Sequence, residues 1–243
     1  ILSKKIKYMN NQDFVRANNF DQWVGLIQTR ETIRLGRGQS LLDIGCGIGQ
    51  YTPNFLERFS YVTGLDSSED CLAVAKKNND IINYVTGDAE SFSLDYLYDT
   101  INLNMILEHV NDPVKVLINC KKHLADEGVI ICQVPNSNSI TRRLGVIMGV
   151  IDSINHMSEK EISFFGHQRT YTLSTLSRDC ENAGLSVIEK GGLVYKPLPN
   201  EELLKISSNK SKDWIDKFLS ALLEFGRDKP EDCASFIHRL HSL

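Results

Sequence analysis

Short apolar segments alternate with amphipathic ones along most of the chain. Five of the apolar segments predict strands, at residues 40–44, 61–65, 82–85, 100–103 and 129–134. The segments between them place apolar side chains three or four positions apart. This spacing predicts helices from about residue 52, at 69–77 and at 113–124.

The alternation of strand and helix predicts βαβ units. Because connections in such units are short and right-handed, we expect a doubly wound, mostly parallel sheet of the Rossmann-like α/β class. A helix at 173–183, a sixth strand at 185–189 and a final strand at 233–240 extend the pattern. In such a fold, ligands bind at the carboxyl ends of the strands.

The chain has 243 residues, and residues 1–243 suit a single domain that can fold without disulfides or a metal. Residues 1–38 predict a helical N-terminal segment. The regular alternation stops after the fifth strand, so residues 136–172 are predicted to form a lid insertion. Residues 199–230, which are polar and helical in pattern, are predicted to form a second lid or substrate segment.

A glycine-rich turn follows the first strand and carries the sequence Asp43-x-Gly45-x-Gly47-x-Gly49. Glycines let a backbone turn sharply and approach a ligand closely. A dinucleotide fingerprint would place its third glycine at position 50, where this chain has Gln50, and a phosphate-binding P-loop would need Gly-Lys-Ser/Thr. The turn therefore predicts a ligand without a pyrophosphate or triphosphate, and we expect no binding of NAD.

Acidic residues follow the next two strands in step with the glycine-rich turn. Asp66 ends the second strand and Asp88 follows the third. An acid about 20 residues after such a turn accepts hydrogen bonds from a ribose. An Asp at this point can also simply cap a helix. The regular placement of Asp43, Asp66 and Asp88 favours a ligand site along one edge of the sheet.

Five motifs together resemble those of class I S-adenosylmethionine-dependent methyltransferases of the small-molecule type. They are LLDIGCGIG, GLDSS, GDAESF, NLNMILEHV and HLADEGVIICQVPN. The resemblance covers about residues 38–135 and implies the fold and S-adenosylmethionine as cofactor. It implies no particular acceptor.

The resemblance also implies roles for individual residues. Asp43 and residues 45–49, including Gly45, Cys46, Gly47 and Gly49, would line the methionine part of the cofactor. Asp66, with Ser67 beside it, would hold the ribose hydroxyls. The adenine would lie against the group Asp88, Ala89 and Glu90. Asn104 and Met105 would lie beneath the sulfonium.

The fourth strand is followed by His109, whose imidazole suits a general base near neutral pH. Methyl transfer to a hydroxyl needs such a base, whereas an amine needs only to be neutral. His109 can equally pack or cap locally. His109 is therefore one candidate for the catalytic base.

A second cluster lies before the predicted helix at 173–183, in the sequence GHQRTYT. In an extended segment, His167, Arg169 and Tyr171 would point to one side and face a polar acceptor. We expect His167 and Tyr171 to be catalytic and Arg169 to bind substrate, together with His156 in the lid. The structural alternative is that Arg169 pairs with an acid and Tyr171 is half buried.

The composition limits the kinds of partner that this protein is expected to bind. The net charge of −4 argues against nucleic acid, whose phosphates require a basic surface. The six cysteines form no Cys-x-x-Cys pair and predict free thiols in a reducing, cytoplasmic setting without a metal site. The longest apolar stretch, 144–151, is too short to span a bilayer and could cover an apolar substrate, seal the lid or form a homodimer contact.

The sequence thus predicts methyl transfer to an oxygen or nitrogen of a small polar metabolite, such as a sugar, a nucleotide-sugar or a specialised-metabolite intermediate. Two alternatives stay open. One is a methyltransferase for a lipid-like or quinone-like acceptor, and the other is a protein that binds S-adenosylmethionine without catalysis.

Overall fold

The computed structural model describes residues 20–199 and 210–242, together with residues 202, 203 and 205. Its strands are β1 (Ser40–Ile44), β2 (Tyr61–Asp66), β3 (Asn83–Thr86), β4 (Tyr98–Asn104), β5 (Leu124–Pro135), β6 (Leu185–Tyr195) and β7 (Cys233–Ser242). The α-helices are α1 (Phe20–Leu35), α2 (Glu69–Asn78), α3 (Pro113–Lys122), α4 (Ile140–Ile147), α5 (Leu173–Asn182) and α6 (Lys212–Asp228).

The strands form one sheet in the order β3-β2-β1-β4-β5-β7-β6. The pairs from β3 to β5 are parallel, whereas β7 lies antiparallel between β5 and β6. The doubly wound, mostly parallel α/β fold predicted from the sequence is confirmed. Strand order reverses between β1 and β4, which is where such a sheet forms a ligand crevice.

Both faces of the sheet are covered, as the continuous apolar character of its central strands requires. Along β5, Ile130 and Cys132 pack toward the cluster that contains residues of α3 and α5, while Ile131 packs toward α1 and α6. This alternation follows the two-residue period of a strand. The sheet is therefore a rigid support whose carboxyl edge holds the loops of interest.

The predicted elements differ from the structure mainly at their ends. The helix predicted from residue 52 is a short 3-10 helix, Thr52–Glu57. Helix α3 ends at Lys122 rather than at residue 124, because Leu124 already pairs with Tyr98 at the start of β5. Strand β6 runs to Tyr195, well beyond residue 189, because it pairs with β7 along nearly its whole length.

The two predicted lid segments contain helical structure. Residues 136–172 hold α4 and a π-helical turn at Lys160–Phe164, and residues 199–230 hold α6. Residues 1–19 of the predicted N-terminal segment lie outside the described residues, and α1 forms its described part. Within the described chain, no helix has the length and apolar character needed to cross a membrane.

Candidate active site

The glycine-rich turn after β1 has a backbone that only glycine adopts easily. Gly45, Gly47 and Gly49 have φ of 76°, 54° and 70°. A Cβ at Gly49 would lie 2.5 Å from the hydroxyl oxygen of Tyr84, whereas a Cβ at Gly47 would meet nothing within 4 Å. Gly49 is thus needed for packing inside the protein, and Gly47 borders open space.

Asp43 holds this turn from behind. Its carboxylate accepts hydrogen bonds from the Thr52 hydroxyl and the Asn102 side-chain amide, both at 2.7 Å. Burial raises the pKa of Asp43 to about 6. Since both oxygens have protein partners, the carboxylate supports the turn and is not presented to a ligand. Cys46 likewise packs its side chain toward the core cluster beneath β1 and β2.

Asp66 connects the turn to the end of β2. One carboxylate oxygen accepts a hydrogen bond from the Gly47 amide at 2.8 Å and the other accepts one from the Ser68 amide at 2.9 Å. Asp88 accepts a hydrogen bond from the Glu90 amide at 2.7 Å. Both acids therefore shape their loops and also border a cavity, but Ser68 rather than Asp66 caps α2.

This cavity, here the nucleoside cavity, measures about 230 Å³ and lies at the carboxyl edge of β1, β2 and β3. Six of the predicted cofactor residues line it: Gly45, Asp66, Ser67, Asp88, Ala89 and Glu90. Leu65, Ile106 and Val110 give it apolar walls, and among the described residues neither Lys nor Arg lines it. Apolar walls with carboxylates at the rim suit a nucleoside, and the lack of basic side chains along them argues against a phosphate.

Glu90 also closes the far wall of the nucleoside cavity. Its carboxylate accepts hydrogen bonds from the amides of Asn111 and Asp112, at 2.8 and 3.1 Å. Those bonds fasten the loop after β4 to the loop after β3. We infer that Glu90 positions the wall.

Asn104 and Met105 end β4 but do not line the nucleoside cavity, where Ile106 takes the adjoining wall. Met105 has a φ of 53°, uncommon for a residue with a side chain, and its amide bonds to the Gln133 carbonyl. The Asn104 amide lies 3.4 Å from the Gln28 side-chain oxygen. This contribution of α1 could not be predicted from the sequence, because no local pattern relates Gln28 to β4.

A second and larger cleft lies beyond the end of β5. It measures about 620 Å³, and its lining includes Glu108, Arg142, Lys160, Glu161, His167 and Lys196. We call it the polar cleft. His109 lines the nucleoside cavity and His167 lines the polar cleft, and their ring centroids are only 4.7 Å apart. The two histidines therefore mark the border between the two spaces.

Glu108 lies next to this histidine pair and is 2% exposed. Its Oε1 is 3.8 Å from Nε2 of His109, while its Oε2 has no hydrogen-bond partner among the described residues. Burial raises the pKa of Glu108 to about 8. Burial lowers the pKa of both His109 and His167, and the charge of His167 lowers that of His109 further. The two imidazoles are therefore neutral near pH 7.

Arg169 lines the polar cleft together with His167, but its guanidinium is bonded to the backbone of the loop after β4. Its guanidinium donates hydrogen bonds to the carbonyls of Leu107 (2.7 Å), Asn111 (2.9 Å) and Val110. The neighbouring Gln168 side chain donates to the carbonyl of His109 at 2.7 Å. Together these residues hold the whole loop after β4 against the segment that carries His167.

Tyr171 also borders the polar cleft, but its ring belongs to the apolar core and is 2% exposed. Its hydroxyl lies 3.3 Å from a carboxylate oxygen of Asp179, and burial raises its pKa. At Tyr171 the segment pairs with Asn136, which also lines the polar cleft. His156 does not line the polar cleft, and its carbonyl accepts a hydrogen bond from Arg142.

Comparison with known proteins identifies the family. A family model described as a methyltransferase domain matches residues 15–190. The chain is a class I S-adenosylmethionine-dependent methyltransferase. S-adenosylmethionine is its cofactor, in agreement with the expectation from the sequence.

The relatives of this methyltransferase include the ubiquinone biosynthesis O-methyltransferase of Coxiella burnetii (strain RSA 331 / Henzerling II), 30% identical over 68% of this chain and 71% of the relative. The protein of the same name from Aromatoleum aromaticum is 28% identical over 66% of this chain and 70% of the relative. These names indicate oxygen as the methylated atom in those proteins.

Solved structures share the fold of this methyltransferase. An S-adenosylmethionine-dependent methyltransferase from Mesorhizobium loti has a TM-score of 0.60 at 16% identity, over 89% of this chain and 97% of that one. The N-methyltransferase NodS from Bradyrhizobium japonicum, in complex with S-adenosyl-L-homocysteine, has a TM-score of 0.58 at 14% identity, over 97% and 94%.

Proposed function

We propose that this methyltransferase transfers a methyl group to a hydroxyl of a small polar metabolite held in the polar cleft. The observation that carries the proposal is the border between the two spaces, where His109 and His167 stand with their rings 4.7 Å apart. A hydroxyl acceptor must lose a proton when its oxygen attacks, and neutral imidazoles can take one.

The nucleoside cavity supports the placement of the cofactor. We infer that Asp66 and Asp88 would accept hydrogen bonds from the ribose and adenine, and that the walls at Ala89 and Ile106 would flank the ring. The bound cofactor supplies a methyl group already activated by a positive sulfur. The chain then has to align the acceptor with that methyl and exclude water.

The lining of the polar cleft supports a polar acceptor. Its walls carry the cationic side chains of Arg142, Lys160 and Lys196, and the hydroxyls of Ser137 and Thr141, which donate to protein carbonyls, keep oxygen lone pairs that can accept. Arg142 is paired with Glu161 at 3.2 Å, so part of this charge is already balanced. A sugar or a nucleotide-sugar would satisfy these groups better than a hydrocarbon would.

Turnover with a panel of acceptors tests the proposal. Sugars, nucleotide-sugars, amines and catechol-like quinols would be incubated with S-adenosylmethionine, and the methylated product would be identified by mass. We expect methylation of a polar hydroxyl acceptor. Methylation confined to amines would contradict it.

The role of the histidines is tested by His167→Asn, which we expect to lower turnover by about 10²–10⁴, the range for loss of a general base. Cofactor affinity should stay unchanged. The matched control is His241→Asn, since His241 lies on β7 and lines neither space. Normal turnover by the His167 variant would leave His109 as the candidate base.

A quinone-like acceptor is the second candidate. The names of the relatives favour it. So does a group of exposed apolar side chains in the segment 140–165, which flanks the polar cleft: Ile147, Met148, Val150, Ile162, Phe164 and Phe165. The quinol arm of the panel tests this candidate. The same apolar group could instead contact a second copy of the chain, which sedimentation at several concentrations would detect.

A further inference from the structure

Glu108, His109 and His167 bring three metal-binding groups together at the border of the two spaces. One ligand atom from each side chain lies within 4.8 Å of the others. Glu108 and His109 belong to the loop after β4, whereas His167 comes from the distant segment before α5. Because its members are far apart along the chain, the sequence motifs considered above, which predicted no metal, could not reveal this cluster.

The buried carboxylate supplies an independent observation. The side chain of Glu108 is only 2% exposed, and its Oε2 is inaccessible to solvent. This oxygen has no hydrogen-bond partner among the described residues. Leaving a buried carboxylate oxygen without a donor is costly, by about 1–3 kcal/mol or more. A cation between Glu108 and the two imidazoles would remove that cost.

We propose that Glu108, His109 and His167 bind a divalent transition-metal ion of the Zn²⁺ or Mn²⁺ type. Two imidazoles and one carboxylate form a donor set that such ions prefer, whereas Mg²⁺ and Ca²⁺ prefer oxygen ligands throughout. Three protein ligands also leave coordination positions open for a substrate.

The surroundings hold these ligands in place. The backbone of Phe165 and Gly166 lies near the ring of His109 and acts to raise its pKa. The amide of Gln168 donates to the carbonyl of Glu108 at 2.8 Å, and Arg169 fixes the rest of the loop. Such outer contacts fix the orientation of ligands and strengthen metal sites.

The site deepens the proposed function, on which its catalytic part rests. An ion at the border lowers the pKa of an acceptor hydroxyl that reaches it. The acceptor O–H bond breaks and its proton leaves to solvent. The oxygen then forms a bond to the methyl carbon while the carbon–sulfur bond breaks, and its electron pair returns to sulfur. In this form of the mechanism the imidazoles hold the ion and do not take the proton.

The site is tested first by binding, without any acceptor. Chelator-treated full-length protein would be titrated with Mn²⁺, followed by electron paramagnetic resonance, and with Co²⁺, followed by visible absorption. We expect one ion per chain. Glu108→Gln, His109→Asn and His167→Asn should each weaken binding by at least about tenfold, while His241→Asn should not.

Circular dichroism would confirm that each variant is folded, and because His109 and His167 are partly exposed, their variants keep the test valid if Glu108→Gln does not fold. The absence of a bound ion in the folded wild type overturns the site. So does binding that survives all three substitutions.

Turnover separates this inference from the proposed function. Full activity of metal-free protein on a hydroxyl acceptor would overturn the catalytic role of the ion and leave the proposed function standing. Ion binding without methylation of any hydroxyl acceptor would overturn the proposed function and leave the site standing. Loss of turnover on chelation and recovery with Zn²⁺ or Mn²⁺ would support both.

Discussion

The two spaces along the carboxyl edge of the sheet are built in different ways. The nucleoside cavity is formed by loops that follow β1, β2 and β3 in succession, and its shape comes from glycine backbones and from acids that bond to nearby amides. The border with the polar cleft depends on side chains that connect segments far apart in the sequence, above all Arg169 and Gln168.

This difference separates a half of the site that depends on a short local motif from a half that depends on contacts between distant segments. A cavity made of local backbone geometry needs only a short motif, and any chain with that motif can reproduce it. A border held by contacts between distant segments can be altered by a change in either segment. The substitutions below separate the two kinds of construction.

The largest effect is expected from Arg169→Met, which keeps the length of the side chain but removes its donors. Hydrogen bonds to charged groups contribute about 1.5–3 kcal/mol each, and we expect the free energy of unfolding to fall by about 3–5 kcal/mol in total. Chemical denaturation measures it. Turnover should fall as well, because the histidine pair loses its support.

The matched control for that variant is Arg178→Met. Arg178 pairs with Asp179 at 3.2 Å, but its side chain is 65% exposed. Exposed ion pairs contribute about 0–1 kcal/mol, so this variant should be nearly as stable as wild type. Equal losses in the two variants would show that Arg169 is an ordinary surface residue.

The glycine-rich turn is tested by a pair of alanine substitutions. Gly49→Ala combines an unfavourable φ with a clash against Tyr84, and we expect it to destabilise the protein by about 2–4 kcal/mol. Gly47→Ala has the unfavourable φ alone and should cost about 1–2 kcal/mol. Thermal unfolding compares them, and a larger loss at Gly47 would contradict the packing described here.

Asp66→Ala tests the ribose contact and should weaken cofactor binding by about 1–3 kcal/mol. Calorimetry with S-adenosylmethionine and S-adenosyl-L-homocysteine measures the affinity. Asp66→Asn is the control, since its amide oxygen can still accept one of the two backbone hydrogen bonds. If both variants bind the cofactor normally, Asp66 only caps its loop. NAD should not bind to the wild type.

The smallest effect concerns two buried titratable groups, His238 on β7 and Asp43 beneath the glycine-rich turn. Burial lowers the pKa of His238 to about 4, so the unfolded chain takes up a proton first as pH falls below 6.5, and stability is lost. Burial raises the pKa of Asp43 to about 6, so its contribution is present below pH 3.8 and is lost as pH rises to 6.

These two contributions have opposite signs between pH 4 and 6. Between pH 6.5 and 5, the free energy of unfolding of the wild type should fall by on the order of 1 kcal/mol because of His238. We expect His238→Gln to abolish this fall. Denaturation at each pH measures it, with His241→Gln as control. Lys190 on β6 opposes protonation of His238 and stays in both variants. Parallel stability curves for wild type and His238→Gln would contradict the assignment.

The sequence predicted the fold and the nucleoside cavity because their signals are local. A strand, three glycines and an acid lie next to one another in the chain, and parallel pairing of β1, β2 and β3 brings their ends together. The positions of Asp66 and Asp88 in the lining of the nucleoside cavity follow directly from this arrangement.

The border could not be predicted in the same way. The hydrogen bonds of Arg169 could not be predicted, because its partners, the carbonyls of the loop after β4, carry no sequence signal. Alternation predicted Tyr171 at the cleft, which it borders, but alternation alone does not show that the ring is buried. The histidines were proposed one by one, and only the folded chain brings His109 beside His167.

The antiparallel strand β7 has a consequence for the order in which the sheet can assemble. It follows β6 in the sequence but lies between β5 and β6, and β6 has no other strand partner in the described sheet. During synthesis, β1 to β5 can pair as soon as they leave the ribosome, but β6 must wait. We therefore expect the last stage of folding to be a single joint event in which β7 adds to β5 and carries β6 with it.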